Sequence, residues 1–199
     1  FEGTGGSTFI QLKDSDDGTV AFLGADGGSV KVQTSGSSYA DKLIIDTNGH
    51  VTMPSQPAFM VHKGDTDQNF DEDTDTTFTW STEVFDQGGN FASNTFTTPI
   101  TGRYQFNLRV RIDNLDADAG NYIVKIVTSN REFRHIFDSN SGTGSVSDIQ
   151  YLTIAIPILC DMDANDTATV EINQNASGAT QSKIDGNDVY TQFSGFLVC

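Results

Sequence analysis

Residues 91–113 read FASNTFTTPITGRYQFNLRVRID, and this stretch decides the fold. From residue 103 onward, apolar and polar residues alternate without a break. Side chains of a β-strand point alternately to opposite faces, so the alternation predicts a long strand with one dry face and one wet face. The dry face holds Tyr104, Phe106, Leu108, Val110 and Ile112. Thr101 and Gly102, just after Pro99, predict the turn that begins this strand.

The remainder of the sequence predicts an all-β protein. The 199 residues are 36% hydrophobic and include 14 Phe, which is typical of folded domains rather than of disordered chains. Thr, Val, Ile and Phe are frequent, turn residues recur roughly every ten positions, and helix signals are nearly absent. The sequence begins at Phe1 rather than at Met, so we expect it to be a C-terminal piece of a longer protein.

The net charge of −16 argues against two classes of partner. A polyanionic surface repels the phosphates of nucleic acids and of anionic lipids, so we expect neither as a partner. No apolar run approaches the ~20 residues that a membrane-spanning helix needs, so we expect no membrane insertion. The same acidity favours divalent cations as ligands.

Residues 1–56 differ in pattern from the rest of the chain. Short apolar segments alternate there with Gly-, Ser- and Asp-rich turns, and Asn48-Gly49 predicts a hairpin with a two-residue turn. So few large apolar residues cannot form a core alone, and we expect this segment to be buried against copies of itself as a β-stalk. Pro54 and Pro57 interrupt strand pairing, which predicts two domains, 1–56 and 57–199.

Two motifs in the second domain carry a resemblance to a known family. The pattern Phe-x5-Gly-x-Tyr-x-Phe occupies residues 96–106, with Thr and Pro at positions 97 and 99, and FSGFL occupies residues 193–197. Both resemble the signature of the C1q/TNF-like family, which includes the globular head of complement's first recognition component. One position that is usually aromatic in the family holds Leu108.

The resemblance implies that residues 57–199 form a C1q/TNF-like antiparallel jelly-roll sandwich of ten strands. It also implies a homotrimer, with an apolar and aromatic surface that closes around a threefold axis. The core and trimer motif of the family would consist here of Phe96, Gly102, Tyr104, Phe106, Phe193, Gly195 and Phe196.

The resemblance also bears on the two cysteines, Cys160 and Cys199. In the implied jelly roll, the strands that end near them lie on either side of the strand that begins at residue 103. Two inter-strand spacings separate such Cα atoms by about 9–10 Å, which exceeds the reach of a disulfide. We expect free thiols, with one disulfide as the alternative.

A second resemblance concerns the end of the first domain. Residues 43–59, LIIDTNGHVTMPSQPAF, resemble the stalk that precedes the tip domain in fibre proteins of tailed bacteriophages. Together the two resemblances imply an extracellular, trimeric virion fibre tip that binds a receptor on the host surface, with a saccharide as the expected target. Two alternatives stay open: a structural virion or trimerisation module that binds no receptor, and a tailspike that degrades polysaccharide.

Acidic loops are the places where the sequence could hold Ca²⁺. In some C1q/TNF-like proteins a loop near the trimer apex supplies Asp ligands to this ion, and Asp138 and Asp148 stand at the matching positions. Residues 64–75 hold six further acids, but their spacing is irregular. We interpret that run as a solvated loop, with a second Ca²⁺ site as the alternative.

Motifs for other chemistry are missing from the sequence. His50, His62 and His135 do not lie at zinc-ligand spacing from each other or from Cys or Glu. Neither a Gly-x-Ser-x-Gly elbow nor a phosphate loop occurs, and the many acids lie in predicted turns rather than along a groove. We therefore expect a protein that is not an enzyme.

Three smaller predictions concern single segments. Phe78 and Trp80 are predicted to lie on one face of a short strand. Pro157 predicts a bulge or bend in the strand around it. The basic residues between 131 and 135 are interpreted as a solvated strand face, with acids of another subunit or an anionic ligand as alternatives.

Overall fold

The computed structural model describes residues 6–13, 20–34, 40–139, 148–175 and 181–199, and the regular structure in these ranges is all β. No helix long and apolar enough to cross a membrane occurs in them. The strands are β1 Ser7–Lys13, β2 Val20–Asp26, β3 Ser29–Thr34, β4 Ala40–Ile45, β5 Val51–Thr52, β6 Ala58–His62, β7 Gln68–Asn69, β8 Thr76–Thr77, β9 Thr82–Gln87, β10 Phe91–Ala92, β11 Thr95–Thr97, β12 Gly102–Leu115, β13 Asn121–Thr128, β14 Glu132–Phe137, β15 Ile149–Met162, β16 Thr167–Asn175, β17 Lys183–Ile184 and β18 Gln192–Leu197. The chain divides into two compact units, unit 1 up to Gln56 and unit 2 from Pro57 to Cys199.

Unit 1 is one antiparallel sheet in which β1 to β5 pair in sequence order. The predicted hairpin between β4 and β5 is present, but its turn has three residues rather than two. The Asp46 N–H donates to the His50 carbonyl at 3.0 Å, and the Gly49 N–H donates back to the Asp46 carbonyl at 3.0 Å. The Asp46 carboxylate also accepts the Asn48 N–H at 2.8 Å. This side-chain bond favours the wider turn. Of the three turn residues, Gly49 has a left-handed φ, of 85°.

One face of the unit 1 sheet is apolar from end to end. The cross-strand partners Ile10, Leu23, Val32 and Leu43 form one row across four strands. The unit 1 apolar face consists of Ile10, Leu12, Leu23, Val30, Val32, Leu43, Ile45 and Val51. No described residue of unit 1 is buried, and Leu12 and Val51 are 58% and 59% exposed. Within one chain, this face has nothing in unit 1 to cover it.

Unit 2 is a sandwich of two antiparallel sheets. One has six strands in the order β10-β11-β16-β13-β14 with β8 beside β16; the other has seven in the order β7-β17-β12-β18-β6-β9 with β15 beside β12. The described residues of unit 2 thus form thirteen strands rather than the predicted ten. Strands of two residues, such as β7 and β17, carry too little pattern to be predicted from sequence.

The core of unit 2 lies between the sheets and confirms the predicted dry face of β12. Tyr104, Phe106, Val110 and Ile112 are 0% exposed and Leu108 is 2% exposed. Each large side chain buried in this way contributes about 1.5–3 kcal/mol to the stability of the domain.

The bulge predicted at Pro157 and the strand predicted at Phe78 and Trp80 are wrong. β15 pairs with β12 in unbroken register through Pro157, which lies opposite Asn107, so Pro157 makes no bulge. Since β12 is the one strand that β15 pairs with in the described residues, the missing N–H of Pro157 can face the open edge without cost. Phe78 and Trp80 follow β8 rather than forming a strand. The backbone N–H of Trp80 donates to the side chain of Asn94, at 2.8 Å, and not to a neighbouring strand.

Candidate functional site

Four aromatic residues of the predicted core and trimer motif fill the core of a single chain. Phe96, Tyr104, Phe106 and Phe193 are all 0% exposed. The Phe106 ring lies 5.7 Å from the rings of both Phe96 and Phe193. The Tyr104 hydroxyl donates to the Ile100 carbonyl at 2.8 Å, and burial raises the pKa of this phenol. These side chains therefore reach full burial without a second subunit.

The two motif glycines allow close approach. A Cβ atom on Gly195 would lie 2.5 Å from the ring of Phe106 and 2.8 Å from that of Phe59. On Gly102 it would lie 2.6 Å from Leu197 and 2.8 Å from the carbonyl oxygen of Cys199. The glycines stand where strands and rings leave no room for a side chain, which gives the motif its physical reason.

Phe196, the seventh motif residue, points to the opposite side of the sheet and is 44% exposed. It lies in a cross-strand row of Leu159, Gln105, Phe196 and Ala58. The next row on this side holds Pro157, Asn107, Ser194, Met60 and Phe85. The unit 2 apolar face consists of Ala58, Met60, Phe85, Pro157, Leu159 and Phe196. Leu159 and Phe85 are 56% and 48% exposed, so one chain leaves this face largely open.

A cluster of acidic and tyrosine side chains surrounds Arg111 on the same side of the seven-stranded sheet. We call it the Arg111 cluster. The Arg111 guanidinium donates to both carboxylate oxygens of Asp113, at 2.7 and 3.0 Å, and lies 3.3 Å from Asp185. It also lies over the rings of Tyr151 and Tyr190, 4.3 and 4.7 Å from their centroids. The ion pair with Asp113 raises the pKa of Arg111. Sequence reasoning missed this cluster, although residues 111 and 113 share a face of the predicted strand.

The acids of residues 64–75 are partly engaged in ion pairs. Lys183 holds the pKa of the Asp67 carboxyl below its usual value through a hydrogen bond, and Lys125 does the same for Asp75 at 2.6 Å. In the described parts of the chain, no three His, Cys, Asp or Glu side chains lie together as metal ligands. The interpretation as a solvated loop is therefore only part of the account, because two of its acids anchor the loop to β13 and β17.

Asp138 and Asp148 flank residues 140–147, which lie outside the described residues. Both side chains are exposed, and Asp148 accepts the Ala117 N–H at 3.2 Å. Ca²⁺ takes six to eight oxygen ligands, more than these two carboxylates supply. Ca²⁺ binding at Asp138 and Asp148 therefore stays a prediction.

Two of the basic residues pair with acids of the same chain, and the two cysteines form no disulfide with each other. Arg131 pairs with Asp161 at 2.9 Å, and Arg134 pairs with Glu132, so acids of the same chain neutralise both. β15 and β18 lie on opposite sides of β12 as expected, and Cys160 and Cys199 are free. Burial raises the pKa of the Cys160 thiol to about 11, whereas Cys199 is exposed.

Comparison with solved structures finds neighbours for unit 2. Murine APRIL matches with a TM-score of 0.50 and 14% identity, over 72% of this chain and 99% of that one. The globular domain of zebrafish complement 1qA matches with a TM-score of 0.49 and 15% identity, over 72% and 98%. Eiger TNF from S. frugiperda matches with a TM-score of 0.45 and 13% identity, over 72% and 94%. No protein-family model and no curated protein sequence matches the chain.

At such low identity the likeness concerns the fold alone. The predicted fold class is confirmed: the protein is all-β, and unit 2 is an antiparallel jelly-roll sandwich of the C1q/TNF-like type.

Proposed function

We propose that the chain forms a homotrimer that serves as the tip of a tailed-bacteriophage fibre and binds a receptor on the host surface. The receptor we propose is a saccharide, and the place of action is the virion, outside the host cell. The assignment to a phage fibre rests on the resemblance of residues 43–59 to phage stalk segments. The proposal of three subunits rests on the C1q/TNF-like fold of unit 2.

The unit 1 apolar face is the observation that carries self-association. Six of the eight side chains on this face are exposed and the other two are half-buried, so the five-stranded sheet lacks the burial that stabilises a β-sheet. Every copy of the chain carries the same apolar face. In a symmetric oligomer, each copy of this face can therefore be buried against another copy. The unit 2 apolar face adds a second region for this contact.

Trimerisation supplies the physical basis of attachment. Three identical sets of loops bind a repeated surface saccharide together, so contacts that are weak singly give strong binding in combination. The net charge of −16 per chain keeps such a particle soluble, and salt or bound cations screen the repulsion between subunits.

Self-association is tested by Leu23→Asp, in the centre of the unit 1 apolar face. In a single chain Leu23 is 44% exposed, so the substitution would cost little; in the trimer it would bury three unpaired carboxylates. We expect light scattering to give three times the 21.5 kDa chain mass for the natural sequence, and a smaller mass for the variant. Thr52→Asp, on the opposite face of the sheet, is the control and should stay trimeric. A natural chain that stays monomeric would contradict the proposal.

Receptor binding is tested by adding the fluorescently labelled chain to a panel of bacteria, with and without Ca²⁺. We expect one host to be stained, and the unlabelled trimer to compete with phage infection of that host. The Leu23→Asp variant should stain the same cells far more weakly. Trimers that bind no cells of a host the phage infects would favour a structural module, and release of reducing sugar would favour a tailspike.

A further inference from the structure

A pocket opens at one edge of the unit 2 sandwich. One wall is the start of β9, the last strand of the seven-stranded sheet, and the other is the hairpin of β10 and β11 at the edge of the six-stranded sheet. The cavity measures about 470 Å³, within the ~300–1,000 Å³ usual for small-molecule sites. We call it the Trp80 pocket.

The Trp80 pocket combines an apolar base with a polar rim. Val61 and Phe91, both buried, line it together with the indole of Trp80. The rim residues are Ser81, Thr82, Glu83, Ser93 and Asn94. These are short side chains that carry hydroxyl, amide and carboxylate groups, and no cationic side chain is among the lining residues.

The Trp80 side chain packs against two aromatic rings, but its polar atom has no partner in the part of the chain that the structure describes. Its ring is nearly parallel to the rings of Phe78 and Phe193, with centroids 5.5 and 5.9 Å away. Its Nε1–H is buried and has no hydrogen-bond partner in the described residues. A buried donor without a partner costs about 1–3 kcal/mol of stability. The indole therefore offers the pocket apolar surface rather than a hydrogen bond.

The walls of the pocket carry two local irregularities. Ser93 and Asn94 both have positive φ, at 51° and 65°, as a tight hairpin turn requires, and a serine is strained in this conformation. The backbone N–H of Trp80 donates to the side-chain oxygen of Asn94 at 2.8 Å. This bond connects the hairpin to the opposite wall. The pairing of β9 with β6 shifts in register between Met60 and Val61 of β6. This is a β-bulge, which changes the direction of neighbouring side chains.

We propose that the Trp80 pocket binds one unit of a neutral saccharide, an inference that rests on the proposed function and adds its site. A sugar ring presents an apolar C–H surface for the indole and Phe91, and hydroxyl groups that both donate and accept for the rim. Glu83 and the charge of the whole chain repel acidic sugars and phosphates, and the pocket has no cation to bind them. A single pocket of this size binds a monosaccharide weakly, and three pockets in a trimer supply avidity.

The chain has a single tryptophan, so no second indole contributes to its emission when the protein stays folded. The full chain is titrated with glucose, galactose, mannose and their N-acetyl derivatives, and with sialic acid as the acidic counterpart. We expect a saturable change of Trp80 emission with at least one neutral sugar and none with sialic acid. No saturable change with any neutral sugar, or a stronger one with sialic acid, would overturn the inference.

Ser93→Gly separates binding from stability. Glycine relieves the strained φ, so the melting temperature should stay or rise, while loss of the hydroxyl should weaken sugar binding severalfold. Asn165→Gly relieves a positive φ of 75° outside the pocket and should leave binding unchanged. Trp80→Phe replaces the indole with a smaller aromatic ring and so reduces the apolar surface that contacts the sugar, and its weaker binding is followed by saturation-transfer NMR. Equal binding by the natural chain and both pocket variants would overturn the inference.

The two proposals fail in different ways. If the natural chain and both pocket variants stain host cells equally, receptor binding stands and the Trp80 pocket is not its site. If the natural chain binds no cells but a neutral sugar saturates Trp80 fluorescence and Ser93→Gly weakens it, the pocket stands and the phage-fibre function falls.

Discussion

Unit 1 and unit 2 are built from the same kind of β-strand but differ in where their apolar side chains lie. In unit 2, large aromatic residues such as Phe59 and Tyr104 are 0% exposed between two sheets. In unit 1, Leu12 and Val51 remain more than half exposed on a single sheet. A sandwich completes its core within one chain, whereas a lone sheet with one apolar face needs a second surface.

This difference identifies which part of the molecule requires assembly. The resemblance implied an apolar and aromatic surface that closes around a threefold axis, and four aromatic residues of the motif are fully buried inside one subunit instead of lying on such a surface. Phe196 is the motif residue whose aromatic ring is exposed, at 44%. The stronger requirement for sister chains comes from unit 1, and the predictions below separate the two units on this basis.

Tyr104→Asp should have the largest effect, because it attacks unit 2 from within. The substitution removes a ring that stacks on Phe106 and leaves a carboxylate in the core, at a cost of about 3–5 kcal/mol. That is a large part of the ~5–15 kcal/mol that stabilises a domain. We expect Trp80 fluorescence to show unfolding at much lower urea, at every protein concentration.

Ile136→Asp is the matched control for this change. Ile136 lies on β14 of the same unit but is 58% exposed, so its replacement should shift the urea midpoint very little. Equal midpoints for Tyr104→Asp and the natural chain would mean that the faces of β12 are misassigned.

The two units also show how far sequence reasoning reaches. The faces of β12 could be predicted, because alternation is a property of one strand and Tyr104 to Ile112 follow it without exception. The unbroken register at Pro157 could not, because it depends on whether another strand lies beyond β15.

The candidate sites were less predictable than the strands for the same reason. The Trp80 pocket joins residues 61 to 94 from the edges of two different sheets, and the Arg111 cluster joins residues up to 79 positions apart. Nothing in the local pattern of either segment indicates such contacts. A serine at a left-handed turn position, as at Ser93, also leaves no mark in the sequence.

Lys63 should give unit 2 a pH dependence of its own. It is 1% exposed, its amino group donates to the uncharged side chains of Gln68 and Thr79, and burial lowers its pKa from 10.5 to about 8. Between pH 8 and 10.5 the unfolded chain binds the proton that the folded chain has released, so this residue makes stability rise with pH, by up to about 3 kcal/mol.

The measurement is the difference in unfolding free energy between the natural chain and Lys63→Met at pH 7, 8, 9 and 10. Cys160, whose raised pKa acts in the opposite direction over part of this range, contributes equally to both proteins and cancels. The difference should grow in favour of the natural chain as pH rises, at every protein concentration. A difference that stays constant would show that Lys63 keeps its ordinary pKa in the folded state.

A pair of glycines, one in each unit, tests the comparison with the same chemical change. A Cβ atom on Gly24 would lie 2.1 Å from the Thr8 carbonyl oxygen of β1, and one on Gly195 would meet the rings of Phe106 and Phe59. Crowding of this kind costs about 1–3 kcal/mol. We expect Gly195→Ala to lower the urea midpoint of Trp80 fluorescence, and Gly24→Ala to weaken trimer formation with that midpoint unchanged. A lowered midpoint in Gly24→Ala monomers would show that the two units do not unfold independently.

Thiol labelling perturbs the protein least and tests directly whether unit 2 completes its core within one chain. Burial at 5% exposure and a pKa of about 11 leave Cys160 with little thiolate at pH 8, whereas Cys199 is exposed. Iodoacetamide should therefore modify only Cys199 in the native protein and both cysteines in urea, as counted by mass spectrometry. The decisive sample is the Leu23→Asp variant, diluted until it is monomeric. If unit 2 completes its core within one chain, Cys160 stays protected there; if it is labelled as fast as Cys199, the sandwich needs its sister subunits as much as unit 1 does.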